Sequence, residues 1–121
     1  MTKTILIVDD SESIREVIIF VLEKEGFNVL TGCDGIDAQK HLNGQEINLI
    51  ITDLHMPNMD GVEFIKVVRA TEKYRTTPIL FLTTESQTSK KMEAKNAGAT
   101  GWIIKPFLVD KLISTINKVI T

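Results

Sequence analysis

Two hydrophobic patterns alternate along the chain. Residues 4–8, 27–31, 48–52, 78–83 and 101–104 are short, nearly continuous apolar runs, the first reading Thr4-Ile5-Leu6-Ile7-Val8. Runs of this kind predict strands buried on both faces, as in a parallel sheet. Between them, apolar residues recur at helical spacing. Ile14, Val17, Ile18, Val21, Leu22 and Glu25 fall on one stripe, and all but Glu25 are apolar. Ser11 is a candidate N-cap for this helix and Gly26 its C-terminal stop. A short helix is expected over 36–42, and a third after Gly61, where Val62, Ile65, Val68 and Arg69 recur at helical spacing with Phe64. Residues 87–97 hold only Met92, Ala94 and Ala97 as apolar positions, which predicts a loosely packed helix. Leu108, Leu112, Ile113, Ile116, Val119 and Ile120 mark the last one. Five β-α repeats predict an α/β fold: a doubly wound, five-stranded parallel sheet with right-handed crossovers and helices on both faces.

Composition narrows this picture. A chain of 121 residues is one domain's worth, so a single domain over 1–121 with no output domain is expected. The formal charge of −2 lacks the basic excess of a nucleic-acid binder. The longest apolar run, 17–22, is far short of a membrane span, and no signal-peptide pattern opens the chain. Cys33 is the only cysteine, which excludes an intramolecular disulfide and fits a cytoplasmic location.

In an open parallel α/β sheet the chemistry lies beyond the carboxyl ends of the strands. Strand one ends at Asp9-Asp10, strand three at Asp53, strand four at Thr83 and strand five at Lys105. Each has an ordinary reading: a turn, a helix N-terminal charge, a strand-end hydroxyl, a solvated lysine. Together they are a set. Three carboxylates about 5 Å apart repel by ~3 kcal/mol per pair at an effective dielectric near 20, and a hard divalent cation would offset that. A carboxylate nucleophile, a cation, a lysine and a hydroxyl suit phosphoryl transfer to aspartate.

The residues carrying a family resemblance are Ile7-Val8-Asp9-Asp10-Ser11, the run Asp53-Leu54-His55-Met56-Pro57-Asn58-Met59-Asp60-Gly61, Thr83-Thr84-Glu85, Ala97-Gly98-Ala99 and Lys105-Pro106-Phe107. Over essentially its whole length the chain resembles the receiver domains of two-component response regulators, most closely the stand-alone, CheY-like chemotaxis type. The resemblance, and nothing in the spacing, implies the strand order 2-1-3-4-5. It implies that Asp53 accepts a phosphoryl group from a histidine kinase, assisted by Thr83 and Lys105. It implies Mg²⁺ (or Mn²⁺) held by Asp10 directly, Asp9 largely through water, Asp53 and the His55 backbone carbonyl. Lys105-Pro106 is expected to be cis, and Gly61 to serve a tight turn. Thr83 and Trp102 are the expected switch, which alters the face of helix four, strand five and helix five for partners. His55 and Glu85 occupy positions that tune dephosphorylation.

Some positions depart from the family pattern or stand outside it. Trp102 replaces the usual Tyr or Phe, and its larger ring needs more room. Ile19 and Phe20 lie about 130° either side of the first helix's apolar stripe and are expected to face solvent, as a possible docking point for a kinase or phosphatase. His41 and Cys33 read as structural. The expected protein is a phosphoacceptor switch and not a turnover enzyme, either a monomer or a weak phosphorylation-dependent dimer. It would signal to a downstream protein such as a flagellar motor component, with no nucleic acid or membrane partner. The alternative is a phosphorelay intermediate serving a histidine phosphotransfer protein.

Overall fold

The computed structural model describes residues 2–83 and 88–120. Glu85 and the expected start of the fourth helix at Gln87 therefore lie outside the described residues. The strands are β1 (Thr4–Val8), β2 (Asn28–Gly32), β3 (Leu49–Asp53), β4 (Ile79–Thr83) and β5 (Gly101–Ile104). The helices are α1 (Glu12–Lys24), α2 (Gly35–Ala38), α3 (Gly61–Ala70), α4 (Thr88–Ala97) and α5 (Val109–Val119). The stretch expected as one short helix over 36–42 is α2 followed by a 3-10 turn at Gln39–His41.

All pairings are parallel, and the sheet order is β2-β1-β3-β4-β5. Alternating side chains divide the core into two layers. Ile5, Ile7, Leu49, Ile51, Leu80, Leu82 and Ile103 pack against Ile18 and Leu22 of α1 and Leu112 and Ile116 of α5. Leu6, Val8, Ile50, Ile79 and Phe81 pack on the other side against Phe64, Ile65 and Val68 of α3 and Ala94 of α4. Both faces of the sheet are covered, which explains why the strands read as continuous apolar runs.

Local chemistry fixes the helix starts. The Ser11 hydroxyl accepts from the Ile14 N–H at 3.3 Å, and Glu12 and Lys24 suit the two ends of the α1 dipole. Asp60 and Glu63 form a reciprocal capping box at α3, with bonds of 2.9 and 3.1 Å.

One expectation is corrected in α1. Phe20 is 69% exposed as expected, but Ile19 is half-buried, and Val17, placed on the stripe, is 49% exposed. The buried face centres on Ile18 and Leu22 and is rotated towards Ile19. The cause is packing: α1 lies on a sheet with α5 alongside, so its inward direction is set by neighbours and not by the mean of its own apolar positions.

Candidate functional site

The strand register brings Asp9 and Asp53 together. Val8 pairs with Thr52 across β1 and β3, so Asp9 and Asp53 follow side by side at the carboxyl edge. Thr83 pairs with Ile104 across β4 and β5, and Lys105 comes next. Asp9, Asp53 and Lys105 share the side-chain parity of the α1/α5 layer. Thr83 has the parity of Phe81, which belongs to the layer packed against α4.

Lys105 Nζ lies 3.1 Å from Asp9 Oδ2 and 3.1 Å from Asp53 Oδ2. Asp9, Asp10 and Asp53 each offer a carboxylate oxygen, all within 4.8 Å of one another. Asp9 is fully buried, Asp53 half-buried and Asp10 exposed. An all-oxygen donor set with one open, charged member fits a hard divalent cation that keeps some of its waters. Two further donors hold the carboxylates in place. The Ser11 N–H reaches Asp9 Oδ1 at 2.9 Å, and the Leu54 N–H reaches Asp53 Oδ1 at 2.7 Å. The Arg15 guanidinium donates to the Asp9 backbone carbonyl.

Burial pushes the Asp9 carboxyl above its ordinary range, and Asp53 adds repulsion; the Ser11 N–H and Lys105 oppose this without cancelling it. Burial alone would push Lys105 down, but the adjacent charges of Asp53 and Asp9 raise it instead. The site is therefore short of positive charge, and one lysine is shared between two carboxylates.

Behind Asp53 the chain turns sharply. The His55 N–H lies 3.5 Å from Asp53 Oδ1, and the His55 side chain is exposed. The Gly61 N–H donates to the Leu54 carbonyl at 2.9 Å. A Cβ on Gly61 would collide with the Asp53 carbonyl oxygen and lie 2.8 Å from Leu54 Cα. Gly61 is thus required for close backbone approach, and its φ is not positive. The Lys105-Pro106 bond is cis, as expected.

Trp102 stands outward on β5, 48% exposed. Its ring centroid is 6.1 Å from that of Phe81, and Lys91 Nζ of α4 lies 5.2 Å from the indole centroid. Trp102, Ile104, Pro106, Leu108, Lys111 and Thr115 line an open groove of ≈ 520 Å³ between β5 and α5.

Sequence reasoning missed two residues beside the site. Asp34 caps α2 and also accepts from Asn58 of the β3–α3 loop at 2.8 Å. Asn58 has φ 68, a conformation that asparagine tolerates better than most residues. The Pro57-Asn58 turn and the Asp34 cap pattern were visible signals, but their pairing is a tertiary fact.

Fold and site define a doubly wound α/β domain with a lysine-bridged carboxylate cluster at the carboxyl edge of its sheet. The response regulator receiver domain family model matches residues 5–117, and the chain belongs to that family of two-component signalling proteins. The chemotaxis protein CheY of Pseudomonas aeruginosa is 35% identical over 116 residues, covering 95% of this chain and 94% of that protein. The structure of chemotaxis protein CheY4 of Vibrio cholerae superposes with a TM-score of 0.94 at 42% identity, covering 99% and 100% of the two chains. The receiver domain of a sensor histidine kinase from P. aeruginosa, whose structure has magnesium coordinated in its active-site cleft, gives a TM-score of 0.89 at 28% identity, covering 98% of each chain. Among the described residues no helix is long and apolar enough to cross a membrane.

Proposed function

We propose that the protein is a phosphorylation switch in which Asp53 takes a phosphoryl group from the phosphohistidine of a histidine kinase. The observation that carries this reading is the Lys105 ammonium, 3.1 Å from both Asp9 and Asp53 at the carboxyl edge of the sheet. An Asp53 carboxylate oxygen attacks phosphorus in line. An O–P bond forms, the P–N bond breaks, and its electron pair leaves with the imidazole. Lys105 then trades a carboxylate contact for a phosphoryl oxygen, and Thr83 supplies a hydroxyl. Asp9, Asp10, Asp53 and the His55 carbonyl would hold Mg²⁺, which when bound neutralises charge on the transferred group. Manganese would serve in its place.

The switch reading draws support from the sheet. Thr83 shares the layer of Phe81, and Phe81 touches the Trp102 ring. A shift of Thr83 towards a phosphoryl group would open space on the side where Trp102 stands. The indole is held outward by Lys91, so the active state is reached by giving up that contact. The groove beside Trp102, lined by apolar residues with Lys111 at its edge, suits a downstream protein. His55 and Glu85 would set the lifetime of the phosphoryl group, and the exposed Phe20 would meet the kinase or a phosphatase. The setting is the cytoplasm.

Identity to chemotaxis proteins of 42% and 35% favours signalling to a motor or similar target. The likeness to a receiver within a sensor kinase, at 28%, keeps a second reading alive: a phosphorelay intermediate that passes its phosphoryl group to a histidine phosphotransfer protein.

Incubation with Mg²⁺ and a small phosphodonor, followed by mass spectrometry and Trp102 fluorescence, tests the proposal. One phosphoryl adduct is expected on the wild type and none on Asp53→Asn. An equally abundant adduct on Asp53→Asn overturns the mechanism. An adduct with unchanged fluorescence spares the chemistry and removes Trp102 from the switch.

A further inference from the structure

The loop from Asp53 to α3 is closed at its neck by the Gly61-to-Leu54 hydrogen bond. It contains His55, whose carbonyl the proposed function assigns to Mg²⁺. A backbone oxygen has no rotamer with which to adjust to an ion. Its position is set by whatever fixes the loop.

Two contacts tie the tip of that loop to the start of α2. The Asn58 side-chain amide donates to Asp34 Oδ2 at 2.8 Å. Met59 lies against Gly35 so closely that a Cβ there would meet Met59 Cγ at 2.7 Å. Asp34 is only 6% exposed. Its Oδ1 already caps α2 by accepting from the Asp37 N–H at 2.8 Å. Capping needs one oxygen, and a serine or threonine supplies it without burying a charge. The second oxygen is spent on the loop.

We infer that Asp34 and Asn58 are positioning residues for the metal site, their hydrogen bond holding the 55–60 loop so that the His55 carbonyl is ready for the ion. This rests on the reading of the acidic cluster as a Mg²⁺ site. Partners of ligating groups commonly change metal affinity by 10- to 100-fold (roughly) when removed.

Three substitutions separate the role from mere folding. Asn58→Gly deletes the amide and suits the positive φ, so the backbone is not strained. Asp34→Ser keeps a capping oxygen but is too short to reach Asn58. Asp34→Asn keeps the length, and the two amides can re-form a bond after a flip of Asn58. Mg²⁺ affinity of the full chain is measured by isothermal titration calorimetry without phosphodonor, and folding by urea denaturation without metal. Asn58→Gly and Asp34→Ser are each expected to weaken Mg²⁺ binding about tenfold. The double variant should bind no more weakly than either single one, and Asp34→Asn should bind like the wild type. Asp10→Asn serves as the control that loses binding. If Asp10→Asn loses binding while Asn58→Gly keeps wild-type affinity, or if the two losses add in the double variant, the positioning role is overturned and the metal reading stands. A wild type with no saturable Mg²⁺ binding removes the metal reading and this inference with it.

Discussion

Asp9 carries a cost that its neighbours only partly relieve. It is fully buried, beside another carboxylate, and its pKa is raised above the ordinary value of 3.8. A native pKa above the unfolded one means that the folded protein binds the proton more tightly. Asp9's contribution to stability is thus present below about pH 3.8 and lost as pH rises through its native value. Asp9→Asn is expected to be more stable than the wild type at pH 7, with the gap narrowing on acidification. Urea denaturation at several pH values checks this; a less stable variant at neutral pH would show that the Lys105 contact outweighs burial. These residues were legible in the sequence because they stand at strand ends, where continuous apolar runs stop at charges. Asp34 and Asn58 were not, since 24 residues separate them and only the tertiary fold pairs them.

At the scale of elements, α4 has a weak apolar claim on the core. Among its described side chains Ala94 alone is fully buried, and Met92 is 57% exposed. Its C-terminal end is held by Arg69 of α3. Arg69 Nε and Nη2 donate to the Gly98 carbonyl at 3.1 and 2.8 Å, and Nη1 donates to the Tyr74 and Thr77 carbonyls at 3.1 and 2.7 Å. Arg69→Met should cost about 1–3 kcal/mol, because carbonyls lose a charged donor in a partly buried place. Amide exchange should quicken at the last turn of α4 and stay unchanged at the described part of its first turn. Equal quickening at both ends would mean that Arg69 supports the whole helix. The sparse apolar pattern announced a loosely held helix. The clamp that fixes one end was hidden, because an arginine donating to carbonyls leaves no charge partner in the sequence to point to it.

On the proposed reading, the whole molecule divides its surface between receiving and sending. Phe20 lies on α1, which begins just after Asp9 at the end of β1, whereas the Trp102 groove lies at β5 and α5. Phe20→Lys should alter stability by less than about 0.5 kcal/mol, since the side chain is 69% exposed. Its labelling by a small phosphodonor should match the wild type, while transfer from the cognate kinase slows. Wild-type rates from the kinase would remove α1 as the docking point. The strand runs made the βα alternation readable, but the order β2-β1-β3-β4-β5 came only through resemblance, because no local pattern says which strands are neighbours. The half-burial of Ile19 and the exposure of Val17 show the same limit on a smaller scale: a helical wheel knows its own residues and not what the helix packs against.

The lysine that bridges the two carboxylates stands 96 residues from Asp9 and 52 from Asp53 along the chain. During synthesis both aspartates leave the ribosome well before Lys105 does. A nascent or truncated chain that lacks the fifth strand holds the acidic half of the centre without its counter-charge, and β5 is an edge strand that docks only on a finished β4. On the phosphoacceptor reading, competence to carry a signal is therefore acquired only once β5 has joined the edge of the sheet.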